Sequence, residues 1–264
     1  MAKKPTVTLQ ELEALAPWHY NIRINDQLKT RDANTGVHAH HHVINPQELM
    51  SDIKKIYPDG LQGKSFMDAA CNSGAYCFIA RKMGASETFG FDVREQWIRQ
   101  ANFLKERLPG NSDILRFEVC DLLDLDRLLA RDKKFDICLF KGIFYHLPDP
   151  VAGLKLVADR TSEVIIVDSD TTPGQPDGYL KLITEGTENP MSGVHRLAWL
   201  PTGPAVIEDI LKWLGFEETL TLFWRNPGVN SSRFARGRVR VVGARRGEFL
   251  QALTKEVSSS PQLS

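Results

Sequence analysis

Short runs of apolar residues alternate with amphipathic stretches along most of the chain. The runs with the composition of buried strands are 65–70 (SFMDAA), 88–91 (TFGF), 114–119 (ILRFEV), 135–140 (FDICLF) and 163–168 (EVIIVD). Two more strands are expected at 218–223 and 238–243, which makes seven. The stretches between many of them place apolar residues three or four positions apart, as helices with one buried face do. This alternation predicts an α/β protein with a doubly wound sheet.

The predicted helices have recognisable ends. Before the first strand, Asn45 is placed to cap a helix, with Pro46 in its first turn and Glu48 completing a capping box. Thr202 is the expected cap of the last helix, and Gly215 is its stop. The other helices are predicted at 75–83, 94–108 and 150–160.

Two segments interrupt the alternation. Residues 1–44 are too polar for a core of their own and contain one short predicted helix at 8–15, so they are expected to form a cap or lid. Residues 169–201 form an insertion after the fifth strand, with a short helix expected at 178–183. Loops of this length inside a compact domain are usually functional or disordered, which indicates a substrate lid. The core domain is expected to span 45–250, and the tail 251–264 to be disordered at its end.

Composition narrows the class of protein. The chain has 264 residues, enough for one sizeable core with an added lid, and its 33 basic residues balance 33 acidic ones. Zero net charge gives no general attraction to nucleic acid or membranes. The first residues lack the apolar stretch of a signal peptide, and no apolar run approaches a membrane span. The four cysteines include no CxxC pair, which favours reduced thiols in a cytoplasmic protein.

The first strand is followed by a tight turn of small residues, Cys71-Asn72-Ser73-Gly74. A helix and a second strand come next, and that strand ends on Asp92. A strand, a tight turn, a helix and a second strand ending in an acid form half of a nucleoside-binding unit, in which the acid accepts hydrogen bonds from the ribose. Gly74 is the only one of the three fingerprint glycines present, which disfavours a dinucleotide.

Later motifs identify the nucleoside. In order, the chain carries DAACNSG at 68–74, Asp92, CDL at 120–122 and FDICLFKGIFYHLPDP at 135–150, and together these resemble the motifs of class I S-adenosylmethionine-dependent methyltransferases. Trp18-His19, GIFYHLPDP at 142–150 and the segment 199–216 are similar to the branch with tRNA wobble-uridine carboxymethyltransferases and small-molecule-modifying relatives. The resemblance covers 17–245. It implies a Rossmann-like seven-stranded sheet whose last strand is antiparallel, with the ligand at the carboxyl ends of the strands.

The same resemblance implies which residues hold S-adenosylmethionine. They are Asp68, Ala70, Asn72, Ser73, Gly74, Lys141 and Gly142 around the methionine part, Asp92 at the ribose, and Val93, Asp121 and Leu122 around the adenine. Ala70 and Asn72 stand where the family usually has glycine, and the methyl group of Ala70 narrows the room for close backbone approach. The carboxymethyl-transferring relatives carry Arg where this chain has Leu147. Without that bidentate donor we expect ordinary S-adenosylmethionine and transfer of a plain methyl group.

Candidates for catalysis follow the fourth strand. His146 is the expected general base for a hydroxyl acceptor, with Tyr145 orienting it or lining the pocket. The alternative interpretation is that His146 caps the turn at 147–150. His195 is a second catalytic candidate. The residues proposed to touch substrate are Trp18, His19, His40, Arg196 and Trp199.

Two biased stretches remain. The histidines of 38–42 (HAHHH) lack a second cluster at a ligand spacing, so they are assigned to a segment lining the acceptor pocket rather than to a metal site. Arg236, Arg238 and Arg240 alternate on one face of a strand. This pattern is typical of a solvated sheet edge, and its functional alternative is a phosphate-binding strip for RNA or an acidic substrate, with Phe234 as its one aromatic residue.

The sequence therefore predicts a cytoplasmic methyltransferase acting on a small molecule, most readily a secondary metabolite methylated at oxygen. A tRNA-modifying enzyme acting on a wobble uridine is the alternative, with RNA as partner. A catalytically inactive cofactor-binding subunit is a third. The acceptor, the choice of O-, N- or C-methylation and the oligomeric state stay open at this point.

Overall fold

The structure is a computed structural model that describes residues 6–108, 110, 114–172, 177–186, 191–226, 236–251 and 253. Seven strands form one sheet in the order β3-β2-β1-β4-β5-β9-β8, and β6 and β7 form a separate hairpin. The strands are β1 Ser65–Ala69, β2 Glu87–Asp92, β3 Leu115–Val119, β4 Phe135–Lys141, β5 Thr161–Thr171, β6 Leu180–Thr184, β7 Leu197–Pro201, β8 Glu218–Arg225 and β9 Gly237–Ala244. The predicted seven-stranded sheet is confirmed.

The helices agree with the apolar spacing. They are α1 Leu9–Glu13, α2 Gln47–Ile56, α3 Ala75–Lys82, α4 Glu95–Arg107, α5 Leu125–Leu128, α6 Pro150–Ala158 and α7 Pro204–Trp213. Within the described ranges, no helix is both long enough and apolar enough to cross a bilayer. The tail predicted to be disordered lies outside the described residues, apart from its first part.

The chain divides into two compact units, residues 1–121 and 122–264. In the first unit β1 pairs with β2 and β2 with β3, all parallel. β1 and β2 are buried along nearly their whole length, as strands covered by helices on both sides are, whereas β3 at the edge exposes Arg116. Trp97, Ile98, Ala101 and Leu104 of α4 are buried, as the helical spacing predicts. Parallel strands end at the same edge, so the turn after β1 lies beside Asp92 at the end of β2.

The N-terminal segment is part of the core of the first unit, which corrects the expectation of a cap without a core. Leu12 and Trp18 are fully buried, and Trp18 Nε1 donates to the Leu12 carbonyl at 2.8 Å. The Gln100 side-chain amide of α4 donates to the carbonyls of Leu15 and Pro17 at 2.6 and 2.8 Å. One buried glutamine therefore holds the segment to the helix beside it.

In the second unit β4 and β5 are parallel, while β9 runs antiparallel to both β5 and β8. The last strand is therefore the antiparallel one, as expected. It lies in the interior of the sheet, between β5 and β8, so the interpretation of 236–240 as a sheet edge is wrong.

The insertion contains a hairpin where a helix was expected. The helix predicted at 178–183 is wrong, because β6 pairs antiparallel with β7 from Leu180 opposite Pro201 to Thr184 opposite Leu197. A segment of five residues that pairs with partners 13 to 21 positions away satisfies its backbone as a strand, whatever its local preference. The sequence offered no sign of that partner.

Two predicted caps are also corrected. Helix α7 begins at Pro204 with Gly203 as its cap, and the Thr202 hydroxyl donates instead to the Tyr179 carbonyl. Helix α2 begins at Gln47 with Pro46 as its cap, and Asn45 Oδ1, one residue before the cap, accepts from the Gln47 amide at 3.3 Å. In both places the polar side chain bonds the backbone near the helix end without capping it.

Candidate functional site

The turn after β1 departs from ordinary backbone geometry at three positions. Ala70, Asn72 and Gly74 have φ of 60°, 52° and 76°, in the left-handed region that costs residues with a Cβ free energy. A Cβ added to Gly74 would lie 2.5 Å from Phe117 Cε1, so only glycine fits there. Left-handed residues in a turn point successive backbone amides toward one concave side, as sites for anionic or polar ligands require.

Asp92 ties this turn to the end of β2. Its Oδ2 accepts from the Asn72 amide and its Oδ1 from the Arg94 amide, both at 3.0 Å. The side chain is almost fully buried, and burial raises its pKa against the lowering effect of these hydrogen bonds. Each carboxylate oxygen retains a second lone pair, so the group can accept two further hydrogen bonds, and contact with a ribose stays a prediction.

The other cofactor candidates of the first unit surround the same edge. Asp68 is buried at the end of β1, and Ser73 is fully buried in the turn. The Cys120 amide donates to the Asp92 carbonyl at 3.0 Å, which brings the end of β3 to the end of β2. Val93 is 36% exposed there, and Asp121 is half-buried. The structure thus gathers these predicted residues of the first unit at one edge of its strands.

The residues of the first unit proposed to touch substrate differ from one another in burial and contacts. Trp18 has a packing role, since it is fully buried with its Nε1 bonded, and this corrects its assignment to substrate. His19 Nδ1 lies 3.1 Å from the His42 carbonyl, and its ring is 5.8 Å from that of His41. His40 is exposed. Within the part of the chain that the structure describes, no three His, Cys, Asp or Glu side chains are grouped as metal ligands.

Two cofactor candidates of the second unit lie on either side of β4 in the chain. Leu122 comes before the strand and Gly142 directly after it. Leu122 is buried and packs toward α6, where a Cβ on Gly153 would lie 3.3 Å from it. Gly142 has a φ of 70°, and a Cβ there would lie 3.9 Å from Arg238 Nη2 and 4.0 Å from the Tyr145 hydroxyl. Gly142 therefore borders two polar groups of the second unit.

Asp168 is the centre of a buried charge cluster in the second unit. Arg240 Nε donates to its Oδ2 at 2.7 Å and Arg238 Nε to its Oδ1 at 2.6 Å, and Lys141 Nζ lies 3.6 Å away. Arg238 Nη1 also donates to Asp170 at 2.6 Å. Burial would raise the pKa of Asp168, but the three cations lower it to about 2. Burial and the two arginines lower the pKa of Lys141, against the pull of Asp168.

The contacts of Asp168 correct the interpretation of Arg238 and Arg240 as a solvated edge or a phosphate-binding strip. Arg240 is buried, the side chain of Arg238 is 19% exposed, and both are paired with acids instead of facing solvent. Phe234, the aromatic residue of that strip, lies outside the described residues. A phosphate backbone would have to displace Asp168 and Asp170 from the two arginines, which removes the observation that favoured RNA at this strand.

His146 closes a short helical turn, Phe144–His146, directly after β4. Its Nδ1 lies 2.7 Å from Glu185 Oε2, and its ring stands 4.1 Å from the Tyr145 ring. Burial raises the pKa of Tyr145, so that its hydroxyl keeps its proton at neutral pH. The interpretation of His146 as a cap is wrong, because Asp149 Oδ1 caps α6 by accepting from the Ala152 amide at 3.0 Å.

The remaining candidates lie in the insertion. Trp199 Nε1 donates to the Pro148 carbonyl at 3.1 Å, which joins β7 to the loop after His146. Arg196 is exposed with a φ of 63°, and its carbonyl accepts from the Glu185 amide at 3.0 Å. His195 is half-buried. Trp199 and Arg196 therefore shape the hairpin, and contact with substrate stays a prediction for both.

A family model described as a methyltransferase domain matches residues 61–198, which is more than half of the chain. The chain belongs to this family. The predicted membership of the methyltransferases is thereby confirmed.

Curated relatives with similar sequences have two kinds of name. A tRNA U34 carboxymethyltransferase of Sulfurovum sp. is 35% identical over 66% of this chain and 54% of its own length. One of Aliarcobacter butzleri is 29% identical over 60% of the chain and 48% of its own length. A ubiquinone biosynthesis O-methyltransferase of Neisseria meningitidis is 30% identical over 54% and 57%. The chain thus spans about half the length of these relatives.

Among solved structures, the N-terminal domain of EvdMO1, determined in the presence of SAH and D-fucose, is similar over 90% of this chain and 95% of that domain. The TM-score is 0.67 and the sequence identity 20%. A likeness at this level of identity shows a shared fold, including the region before β1.

Sequence reasoning missed Glu185 as a partner of His146. Glu185 is 39 positions from His146, just beyond the segment 178–183 that was expected to be helical. The Asp168 partner of Arg238 and Arg240 was missed for the same reason, since 70 and 72 residues separate them. Neither pairing has a signal in a single sequence.

Proposed function

We propose that this chain transfers a methyl group from S-adenosylmethionine to an oxygen atom of a small-molecule acceptor, with His146 as the general base. The main support is the environment of His146. Its Nδ1 is bound to a carboxylate, so Nε2 is the nitrogen left to take a proton. A nitrogen or carbon nucleophile of ordinary basicity would need such a base less than a hydroxyl does.

The cofactor half of the proposal rests on the first unit. The left-handed turn at 70–74 and the doubly bonded Asp92 suit a nucleoside, and the family of the chain points to S-adenosylmethionine. The structural neighbour that shares the fold was determined with S-adenosylhomocysteine, the product of methyl transfer. Calorimetric titration of the protein with S-adenosylhomocysteine tests this half, and a lack of binding contradicts it.

The residue at position 147 favours transfer of a plain methyl group rather than a carboxymethyl group. Leu147 is 3% exposed, and a Cβ on Gly153 would lie 2.3 Å from its Cδ1, so the side chain packs toward α6. An aliphatic residue held in this way offers no hydrogen bond to a carboxylate on the cofactor. Mass spectrometry of the modified acceptor distinguishes the two groups.

The chemistry needs alignment and one proton acceptor. The acceptor oxygen attacks the methyl carbon, the bond from that carbon to the sulfonium breaks, and the sulfur keeps the electron pair as S-adenosylhomocysteine. The hydroxyl proton passes to His146 Nε2. Holding the acceptor in line with the bond that breaks supplies most of the acceleration. The hairpin of β6 and β7, in the second unit with His146, is the proposed wall of the acceptor site.

The test is release of S-adenosylhomocysteine from S-adenosylmethionine with three sets of acceptors. Phenolic and aliphatic hydroxyl compounds are compared with amines of similar size and with unmodified bacterial tRNA. Turnover confined to hydroxyl compounds is expected. Turnover confined to amines or to tRNA contradicts the proposal, and cofactor binding without turnover on any set supports an inactive subunit instead.

Modification of a tRNA wobble uridine is the second candidate, favoured by the names of several similar curated relatives. Its predicted RNA strip is weakened because Arg238 and Arg240 are engaged by Asp168. Gel-shift measurement of tRNA binding over a range of salt concentrations decides between the two. Tight binding that falls steeply as salt rises would favour tRNA.

A further inference from the structure

We propose that Glu185 is the positioning residue for His146, and that the hairpin of β6 and β7 exists in this chain to deliver it. This inference rests on the proposed function, in which His146 accepts the proton of a hydroxyl. It adds a residue that does not itself meet the reacting atoms. It also gives the insertion after β5 a defined catalytic duty.

The contact between the two side chains is close and sheltered. His146 Nδ1 and Glu185 Oε2 are 2.7 Å apart, and the side chains are 16% and 15% exposed. The same Oε2 accepts from the Gly193 amide at 2.8 Å. The carboxylate is thus fixed by a backbone group of its own hairpin before it meets the imidazole. A charge-assisted hydrogen bond of this length restricts the ring to one orientation.

Glu185 remains ionised at neutral pH. Partial burial tends to raise its pKa, but the hydrogen bond and charge of His146, the Gly193 amide and Arg236 together lower it below the ordinary value. An ionised carboxylate can only accept a hydrogen bond, so Nδ1 must be the nitrogen that carries the proton. That leaves the lone pair of Nε2 for the acceptor hydroxyl, and it stabilises the imidazolium that forms when the proton arrives.

The hairpin is built around this contact. The Glu185 amide donates to the Arg196 carbonyl at 3.0 Å, one step beyond the last strand pair, which fixes where the carboxylate leaves the hairpin. Gly193 leaves no room for a side chain, since a Cβ there would lie 2.8 Å from His146 Cβ and 3.0 Å from Glu185 Oε2. Trp199 fastens the other side of the hairpin to Pro148. The hairpin therefore meets the loop of His146 on both sides.

A purely structural role would give the same contacts, since Glu185 could simply anchor the hairpin. The two roles differ in the state of the imidazole. Neutral imidazole free in water prefers the tautomer with the proton on Nε2, which is the wrong one for a base acting through Nε2. If Glu185 positions the ring, it reverses this preference and its removal changes the tautomer. If Glu185 only anchors the hairpin while other contacts orient the ring, its removal leaves the tautomer unchanged.

Nuclear magnetic resonance of protein labelled with ¹⁵N-histidine reads the tautomer without any acceptor. The His146 signal is assigned by its loss in His146→Asn. Above neutral pH, wild-type protein is expected to carry the His146 proton on Nδ1, and Glu185→Ala to shift it mainly to Nε2. Glu185→Gln keeps a hydrogen-bond acceptor and is expected to retain the Nδ1 proton. An unchanged tautomer in Glu185→Ala overturns the inference.

Turnover with a hydroxyl compound that supports release of S-adenosylhomocysteine provides the second readout. Glu185→Gln is expected to lower kcat about 10-fold and Glu185→Ala about 100-fold, with KM and S-adenosylhomocysteine affinity within about 3-fold of wild type. Glu217→Gln, an exposed acid of the same unit, is the matched control. Equal kcat in Glu185→Gln, Glu185→Ala and this control overturns the inference.

The two measurements separate the inference from the proposed function. If Glu185→Ala changes the tautomer while His146→Asn turns over normally, Glu185 positions His146 as inferred but His146 is not the base. If His146→Asn is inactive while both Glu185 variants behave as the control does, the base stands and the positioning role falls.

Discussion

Asp92 and His146 are each held by hydrogen bonds, but the groups that hold them are of different kinds. Asp92 is bonded by the backbone amides of Asn72, in the turn after β1, and Arg94, two residues beyond the end of β2. His146 is bonded by one side chain on a hairpin outside the seven-stranded sheet. Backbone amides in a sheet edge move only if the fold moves, whereas a hairpin can shift as a piece. The position of Asp92 therefore depends on the backbone of the fold, and the geometry of the base depends on one side-chain contact from the hairpin.

This difference suggests a division of labour. A cofactor common to many reactions is met by a part of the fold that tolerates little change. An acceptor that differs between enzymes is met by an insertion whose length and sequence can vary without disturbing the sheet. Replacing residues in the two regions should therefore give opposite patterns of loss in cofactor binding and in turnover.

The largest expected effect is a loss of kcat on removal of His146, which is held by Glu185 of the hairpin. His146→Ala should reduce kcat for the hydroxyl acceptor by about 10²- to 10⁴-fold, because the acceptor oxygen then keeps its proton during attack. Affinity for S-adenosylhomocysteine should stay as in wild type. Rates are measured as product released at saturating cofactor, with Glu217→Gln as the control. Activity close to wild type would show that proton removal is left to solvent or to another group.

The reverse pattern is expected at the nucleoside site. Asp92→Ala removes the acceptor of the Asn72 amide and the group that meets the ribose, so affinity for S-adenosylhomocysteine should fall about 10- to 100-fold. Calorimetric titration measures this, and Asp59→Ala, an exposed acid of the same unit, is the control. Binding as tight as in wild type would show that the nucleoside does not bind at this edge.

The difference between the two regions also explains which features could be predicted from the sequence. The seven-stranded sheet, the residues at the edge of the first unit and the position of His146 all follow from patterns within about thirty residues, such as an apolar run ending in a turn and an acid. Glu185 and Asp168 acquire their roles only through partners 39 and about 70 residues away. Pairing over such distances depends on packing that no local pattern records.

The errors have the same cause. The segment 178–183 has no strong preference of its own, and its strand conformation comes from β7. The interpretation of Arg238 and Arg240 as solvated was reasonable for a strand at an edge, but β9 lies between two others and places them on Asp168. A sequence shows which residues share a face of a strand, and not what that face meets.

Rigidity at the nucleoside site can be tested through its glycine. Gly74→Ala should destabilise the protein by about 1–3 kcal/mol, since the new methyl group meets both a left-handed backbone and the Phe117 ring. Gly63→Ala is the matched control, because Gly63 has a φ of 75° and no atom within 4 Å of an added Cβ. Urea unfolding compares the two variants. Equal losses would mean that the backbone strain alone, and not the packing on Phe117, makes Gly74 necessary.

The smallest expected effect is a pH dependence from the histidine-rich segment. Partial burial, with His38 and His42 nearby, lowers the pKa of His41 below 6.5, and its buried Nε2 has no hydrogen-bond partner among the described residues. The folded protein then binds this proton more weakly than the unfolded chain, so stability is complete above pH 6.5 and is lost as the pH falls below it. Because the ring is only partly buried, solvent screening should keep the effect at about 0.5 kcal/mol. His41→Gln should flatten urea-unfolding stability between neutral and mildly acidic pH relative to wild type. A variant that loses as much stability on acidification as wild type would assign the dependence to other groups.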